Sequence, residues 1–499
     1  MKTLNTSMIV FPEPDLEFLN AQTLDHPALG LTLFGPAESN GIEKPGRIDY
    51  ALLGSPQGAS AFEQFADAIN HPISAPKEKS DALWPHFPGF EEAMHSVFPA
   101  SPPFLESINY AALEKAANEP DDHKRVYDVT NLYLDAIKAL ARKDAKVDVA
   151  VCVVPEFVFK NCRPLSKVYG PDRRRPRGQE VKLRRQMDDM FGDYDSKHYD
   201  FSLDFRRQIK ARAMEYRLPI QIIRESTLRL SDENQMGQRG LTYLCDRAWN
   251  LSTALLYKSG RKPWKLSNVR EGVCYIGIAF KRTDGDGRTA CSAAQMFLDD
   301  GDGIVFLGDY GPWYSPEDKQ CHLSREAAKA LLSGVLETYR EQHGKTLNEV
   351  FLHCRSTIEE DEWRGYQEAC PEGVKLVGVR VSPSRGLRAY RLQTRPVIRG
   401  SFWRTSSRSG YLWASGFKPS LRTYEGFDVP EPLRIEIQHG DADITEVARD
   451  IFGLTKLNYN ACKLGESQPV TVRFSDAVGE ILVANQGAKY FLPNFKYYV

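Results

Sequence analysis

The sequence predicts an α/β protein in which a Rossmann-like domain is followed by an RNase H-like domain. Three observations predict it. A helix-period segment, Lys124 to Ala141, runs into an unbroken apolar strand, Val149-Ala150-Val151-Cys152-Val153-Val154, the repeat unit of a sheet covered on both faces. From about residue 269 the texture changes to strands, in the order βββαβαβ of an RNase H-like sheet. The composition, 42% hydrophobic and 26% charged, is that of a globular chain. At roughly 150 residues per domain, 499 residues make about three domains or two large ones.

The first stretch, residues 1–120, is rich in Pro and Gly. Within it the run Ile48 to Leu53 leads through a Gly-Ser-Pro turn into a helical run near Ala61 to Ala68, a βα pattern. After the buried strand, nine Lys and Arg residues fall between Arg163 and Arg185, with Arg173, Arg174 and Arg175 at their centre. Such a run is either a solvated loop or a phosphate-contacting one. Arg206 to Tyr216 reads as helix, Leu218 to Ile223 as strand, and Leu241 to Lys258 as helix stopped by Gly260 and Pro263. The strands Val273–Phe280, Ala293–Leu298 and Gly303–Leu307 read as an antiparallel meander turned by Asp299-Asp300-Gly301-Asp302. A helix (Arg325–Glu341), a strand (Val350–His353), a helix (Glu359–Gln367) and a strand (Val374–Val381) follow. The last elements are Leu433–Ile437, a helix near Ile444–Leu457, a short segment Val470–Phe474 set apart, and a helix near Ala477–Ala484.

Several function classes are excluded. Lys and Arg total 65 against 66 Asp and Glu, so a uniformly basic nucleic-acid coat is ruled out, while a local basic groove is not. Mean hydropathy is −0.44 and no apolar run is long enough to span a bilayer. Met1-Lys2-Thr3-Leu4-Asn5 opens no secretory signal, and the nine cysteines form no C-x-x-C pair, so a reduced, cytoplasmic protein is expected. Gly344-Lys345-Thr346 lacks the upstream glycine of a nucleotide-phosphate loop, and there is no H-E-x-x-H or G-x-S-x-G. The adjacent pair Cys321-His322 does not by itself make a nucleophile and base.

Three segments carry a resemblance. They are Arg206 to Ile223, Ala248 to Trp264, and Leu454 to Asn460 together with the terminal Phe495-Lys496-Tyr497-Tyr498-Val499. Their order and spacing resemble the MID and PIWI domains of Argonaute proteins. With Leu33-Phe34-Gly35-Pro36 and Pro263-Trp264-Lys265-Leu266, the whole chain looks like a short prokaryotic Argonaute. The resemblance implies an N-terminal segment (1–120) packed with the rest, a MID domain (121–268) and a PIWI domain (269–499).

It also implies a guide 5′-phosphate pocket built from Arg206, Lys210, Gln221 and Lys258. The physics agrees: residues 206 and 210 share a helical face, and two cations with an amide suit an anion, although the same spacing also fits plain surface charge. Many family members have Tyr where Arg206 stands, to stack on the first base; a guanidinium plane stacks as well. The C-terminal carboxylate, here Val499, reaches back to this pocket in the family, sometimes through a divalent cation, so Mg²⁺ is expected at the guide 5′ end.

Slicing relatives hold two metal ions on a carboxylate tetrad. Here Ala279 and Arg355 stand at two of the acidic positions, and Arg473 lies near the last. A PIWI domain that binds without cutting is expected, His353 being a packed strand residue and Arg355 and Arg473 facing duplex phosphates. A chain of this length leaves no room for N and PAZ domains. The resemblance implies a separate partner with an APAZ region and an NAD-hydrolysing effector, TIR or alternatively SIR2, in prokaryotic defence. The guide would be 5′-phosphorylated RNA, the target single-stranded DNA, and duplex formation would activate the partner. Two other readings stay open: an active RNase H-like nuclease using Asp284, Asp286 or Glu480, and a non-selective nucleic-acid-binding module.

Overall fold

The computed structural model describes residues 8–39, 41, 43, 45–77, 81–143, 146–168, 201–232, 241–267, 270–282, 290–297, 303–342, 347–392, 395–424, 426, 428–485 and 491–499. In chain order the elements that frame the site begin with β1 (Met8–Val10), β2 (Tyr50–Gly54), α1 (Pro56–Ile69), β3 (Phe104–Ser107), α2 (Asp122–Ala141), β4 (Val149–Val154) and α3 (Glu156–Asn161). Next come α4 (Phe205–Ala213), β5 (Ile220–Arg224), α5 (Leu244–Lys258), β6 (Val273–Arg282), β7 (Ala290–Phe297), β8 (Gly303–Gly311), β9 (Tyr314–Ser315), β10 (Gln320–Cys321) and α6 (Arg325–Gln342). Then follow β11 (Glu349–Cys354), α7 (Glu360–Ala369), β12 (Lys375–Pro383), β13 (Ser401–Arg404), β14 (Ser409–Trp413), β15 (Leu433–His439), α8 (Ile444–Gly453) and α9 (Val470–Leu482).

The first sheet has the order β3-β2-β4-β5 and is parallel throughout. Its apolar runs are continuous because both faces are covered. Tyr50, Leu52, Val149, Val151 and Val153 pack toward α1 and α5 through Phe62, Phe65, Ile69 and Trp249. Ala51, Leu53, Ala150, Cys152 and Val154 pack toward α2 and α4 through Val129, Tyr133, Ile137 and Ile209. The helices start where side-chain oxygens meet free N–H groups. Ser55 accepts from Gly58 N at the head of α1, Asp121 from Lys124 N at α2, and Asp204 from Arg207 N at α4. Two of the four strands, β2 and β3, come from residues 1–120, so this sheet runs across the expected domain boundary at 120/121.

The second sheet has nine strands in the order β1-β13-β14-β15-β12-β11-β6-β7-β8. The meander β6-β7-β8 is antiparallel, β6-β11-β12 is parallel, and β15 turns antiparallel again on β12. Val273, Tyr275 and Phe351 face α8 and α9. Cys274, Ile276, Ile278, Val350 and Leu352 face α6 and α7 through Leu331, Val335, Trp363 and Tyr366. Residues on both sheets belong to one continuous apolar core. The eight cysteines whose side chains are described are free. No described helix is long and apolar enough to cross a membrane.

Two expectations are corrected. Val470–Phe474 is not a separate segment: it is the first turn and a half of α9, which continues without a break to Leu482. Pro469, with φ −66°, starts that helix. The strands β13 and β14 and the edge strand β1 extend the second sheet beyond the elements expected from periodicity.

Helix α9 lies directly on β6. A Cβ added at Gly277 would sit 1.8 Å from the backbone oxygen of Thr471, which no rotamer change relieves. Gly277→Ala is therefore expected to destabilise by about 3 kcal/mol or more in denaturant unfolding, at or above the upper end of overpacking costs. Gly453→Ala, where the nearest atom is 3.7 Å away, is expected within about 1 kcal/mol of the parent.

Candidate nucleic-acid interface

A cavity of about 440 Å³ opens where α4, β5 and α5 of the first sheet meet the last residues of the chain. Arg206, Lys210, Gln221 and Val499 all line it, together with Asn250 and Asn460. The path to this geometry is local. Asp204 caps α4, Phe205 and Ile209 bury its inner side, and Arg206 and Lys210 follow one turn apart on the same face. Arg206 is exposed, whereas Lys210 is only 4% exposed. The Lys210 ammonium donates to the main-chain oxygen of Tyr498 at 3.0 Å and to that of Val499.

Lys258 does not line the cavity. It ends α5, is buried, and acts on its neighbours through charge. Burial, then Arg206 and Lys258, push the proton affinity of Lys210 well below that of an ordinary lysine. Burial, then Arg206, push Lys258 down to about 7. Among the described residues no Asp or Glu carboxylate forms an ion pair with Arg206, Lys210 or Lys258; the oxygens that Lys210 meets are those of Tyr498 and Val499. Asp204 lines the cavity, but its carboxylate accepts from Arg207 N in the helix cap.

A second buried lysine provides the contrast. Lys456 is also pressed by burial, to about 8, but its ammonium sits 3.0 Å from Glu13 Oε1, and Arg399 Nε binds the same carboxylate at 3.0 Å. Burial alone would raise Glu13; Lys456 and Arg399 outweigh it and hold that carboxyl below its usual range. One cationic cluster thus contains an acidic side chain, whereas in the other Lys210 meets only the tail oxygens and Lys258 has no acidic partner among the described residues. Buried charge without a partner is costly, so the Lys210–Lys258 arrangement is built for an anion from outside.

Gln221 adds a polar group to the same wall. Its Nε2 donates to Ile222 O at 3.3 Å, and its Oε1 is buried with no partner. Sequence reasoning missed the rim. On α3, Phe159 carries the guanidinium of Arg163 at 4.4 Å from its ring centroid and that of Arg224 at 4.2 Å. All three line the cavity, which adds two cations and an aromatic surface at its mouth. Arg163 was visible only as one member of the basic run. Arg173, Arg174 and Arg175, from the same run, lie outside the described residues.

A second cavity, about 280 Å³, lies at the ends of β6 and β11. Ala279 and Arg355 both line it, with His353, Lys319, Arg380 and Asp476. Among the described residues Asp476 is the one carboxylate that lines it, and sequence reading set Val470–Phe474 apart from the helix that presents it. Residues 472, 475 and 476 line the cavity from one face of α9. Arg473 does not line it: its guanidinium pairs with Glu466 instead. Asp476 is held by Arg355 and by Lys281 at 3.2 Å. Arg355 also donates to Gln468 Oε1 at 3.0 Å, and Arg380 Nε donates to the Arg355 carbonyl at 3.1 Å. Against Lys319, Arg355 and Arg380, one already paired carboxylate leaves a cationic lining that suits phosphate oxygens better than a divalent ion.

His353 is buried, bonds to Thr471 Oγ1 at 2.9 Å through Nδ1, and is pushed by burial down to about 3, so it stays neutral. Glu480 is not in this cavity; Arg207 at 2.9 Å and Lys281 at 3.4 Å occupy it. Asp284 and Asp286 lie outside the described residues.

Comparison with known proteins agrees with this architecture. No family model matches the sequence, and no curated protein matches it. Solved structures do. Clostridium butyricum Argonaute bound to a guide DNA and a 19-mer target DNA aligns with a TM-score of 0.62 at 13% identity, over 97% of this chain and 54% of that one. Drosophila Piwi aligns with a TM-score of 0.59 at 12% identity, over 99% and 56%. A. aeolicus Argonaute aligns with a TM-score of 0.56 at 13% identity, over 99% and 55%. This chain spans about half the length of the structures it matches. Its mixed α/β architecture with a central mixed sheet is that of their MID and PIWI domains, an Argonaute-type fold.

The depressed lysines set a pH dependence. Between about pH 7 and 10.5 the unfolded chain retains a proton on Lys258 that the folded chain has released, so ligand-free stability rises with pH through that window. Lys258→Met is expected to raise the melting temperature near pH 6.5, flatten this rise, and reduce the stabilisation by sulfate, an anion of constant charge over the range. Thermal melts across pH, with and without sulfate, check all three effects. An unchanged slope in the variant would contradict the assignment.

Proposed function

We propose that this chain is the guide-loading and target-sensing half of a two-protein defence system. It binds a short RNA by its 5′ phosphate and pairs it with single-stranded DNA from an invader without cutting it. The observation that carries this reading is the buried pair Lys210 and Lys258, without an Asp or Glu partner among the described residues, beside Arg206 and Gln221. A terminal phosphate brings the missing negative charge and accepts from the ammonium and guanidinium groups. It draws protons back onto the two lysines and relieves the cost of their burial. Arg163 and Arg224 on Phe159 serve the following phosphates, and the exposed Arg206 lies flat against the first base.

The donors also fit a Mg²⁺ ion. Gln221 Oε1 is a buried acceptor in want of a partner, and the Val499 carboxylate is a hard oxygen ligand in the same cavity. Such an ion supplies charge neutralisation between the carboxylate and the phosphate. Lys210 shares the Val499 carboxylate and keeps the tail in place.

In the second cavity Arg355 and Arg380 take duplex phosphates, and Asp476 stays neutralised. With Ala279 and Arg355 where metal ligands would stand, no two-metal clamp forms and the bound target stays intact. Signalling then falls to a partner of the APAZ type carrying an NAD-hydrolysing domain, TIR or alternatively SIR2, in the cytoplasm.

Fluorescence anisotropy separates this from a non-selective binder. A 5′-phosphorylated RNA is expected to bind about 10- to 100-fold tighter than its 5′-hydroxyl counterpart, the range of one or two charge-assisted bonds. Lys210→Ala is expected to abolish that preference. Equal affinities for the two ends would reject the pocket assignment.

Guide-loaded protein given Mg²⁺ or Mn²⁺ is expected to leave the target strand whole. Cutting that disappears in Asp476→Ala or Glu480→Ala would establish an active nuclease instead.

Co-expression with the neighbouring open reading frame is expected to yield a stoichiometric partner together with short 5′-phosphorylated RNA. Recovery of a lone chain free of nucleic acid would dismiss the two-protein reading.

A further inference from the structure

We infer that Asp318, His322 and Glu359 form a Zn²⁺ site that pins the β9–β10 hairpin to the start of α7. The side-chain ligand atoms of the three residues lie within 4.8 Å of one another. His322 Nε2 and Asp318 Oδ2 are 2.7 Å apart, a hydrogen-bond contact that would open by about 0.6 Å to seat a tetrahedral ion.

The hydrogen bonds around His322 orient its ring for a cation. Its Nδ1 lies 3.2 Å from the carbonyl oxygen of Thr357. A carbonyl only accepts, so Nδ1 carries a proton, and the lone pair of a neutral ring at Nε2 would face Asp318. Two acceptors 2.7 Å apart repel unless a proton or a metal ion lies between them. An imidazole that donates its other N–H to a backbone carbonyl has the outer-shell arrangement of a metal-binding histidine.

The other ligands are held in advance. Asp318 Oδ1 accepts from Gln320 N at 3.1 Å, so Oδ2 is the oxygen left to face His322. Gln320 Oε1 accepts from Thr357 N at 2.8 Å, which ties the hairpin to the segment that leads to Glu359. Glu359 is the N-cap residue of α7, and its side chain makes no cap bond. Behind the cluster, Glu362 is buried, its Oε2 has no partner, and its charge acts on His322.

One imidazole nitrogen with two carboxylates selects Zn²⁺ over Mg²⁺ or Ca²⁺, which prefer all-oxygen shells. Three protein ligands leave one position for water. Lys319, Gln320 and Cys321 of the same hairpin line the second cavity, so the ion would fix one wall of it. The inference does not depend on the guide-binding reading.

The test is calorimetric titration of the chelator-stripped full chain with Zn²⁺, with Co²⁺ absorption as a second readout. One equivalent is expected to bind and raise the melting temperature, with a tenfold excess of Mg²⁺ failing to compete. His322→Ala and Asp318→Asn are expected to weaken binding at least tenfold, and Cys321→Ser to leave it unchanged. Should His322→Ala fail to fold, Glu359→Gln, which touches only an exposed side chain, gives the same comparison. No uptake by the parent chain, or equal uptake by parent and ligand variants, would overturn the site and leave a protonated His322–Asp318 ion pair.

Discussion

The bond from the Lys210 ammonium to the main-chain oxygens of Tyr498 and Val499 ties the first sheet to residues 288 and 289 positions further along the chain. Lys210 belongs to the first sheet through α4. Tyr498 and Val499 belong to the core that the second sheet shares, where Phe495 packs on Tyr257 and Phe474. An ammonium is stable at such depth only when its donors are filled. The tail fills two of them, and in doing so it completes the cavity wall.

Charge balance distinguishes the two buried lysine clusters and gives each a different role. Glu13 makes the Lys456–Arg399 cluster self-sufficient, so it fastens the N-terminal segment to residues near position 400 and needs nothing further. The Lys210–Lys258 pair is left short of negative charge. The second cavity repeats the theme in reverse: Asp476, the one carboxylate lining it among the described residues, is committed to Arg355 and Lys281. Both cavities therefore present cations to solvent, although the chain as a whole carries a net charge of −1. Overall charge says little about such sites because only a few side chains, placed by the fold, set the local field.

The sequence made the repeating elements legible where burial is two-sided. The strand Val149–Val154 and the helix Asp122–Ala141 follow from apolar period alone. The pocket residues Arg206 and Lys210 were legible from their i, i+4 spacing together with the resemblance. Gln221 and Val499 were not legible from spacing, because strand and tail meet only through tertiary packing. Phe159, Arg163 and Arg224 escaped notice for the same reason. Asp476 escaped because Val470-Thr471-Val472-Arg473-Phe474 is β-branched and aromatic, a strand-like composition that α9 overrides by packing on Gly277. The Asp318–His322–Glu359 cluster draws on two segments some 40 residues apart and has no local motif to announce it.

The cavity walls come from both sides of the shared core: Gln221 and Lys210 from one sheet's elements, Asn460 and Val499 from the other's. The cavity therefore exists only while both sheets are folded. Ligand binding and global unfolding become a single linked equilibrium, in which an occupant adds about 2.7 kcal/mol to the whole chain at a hundred times its dissociation constant. A ligand held by a few side chains near α4 would thereby add to the equilibrium stability of the nine-stranded sheet as well.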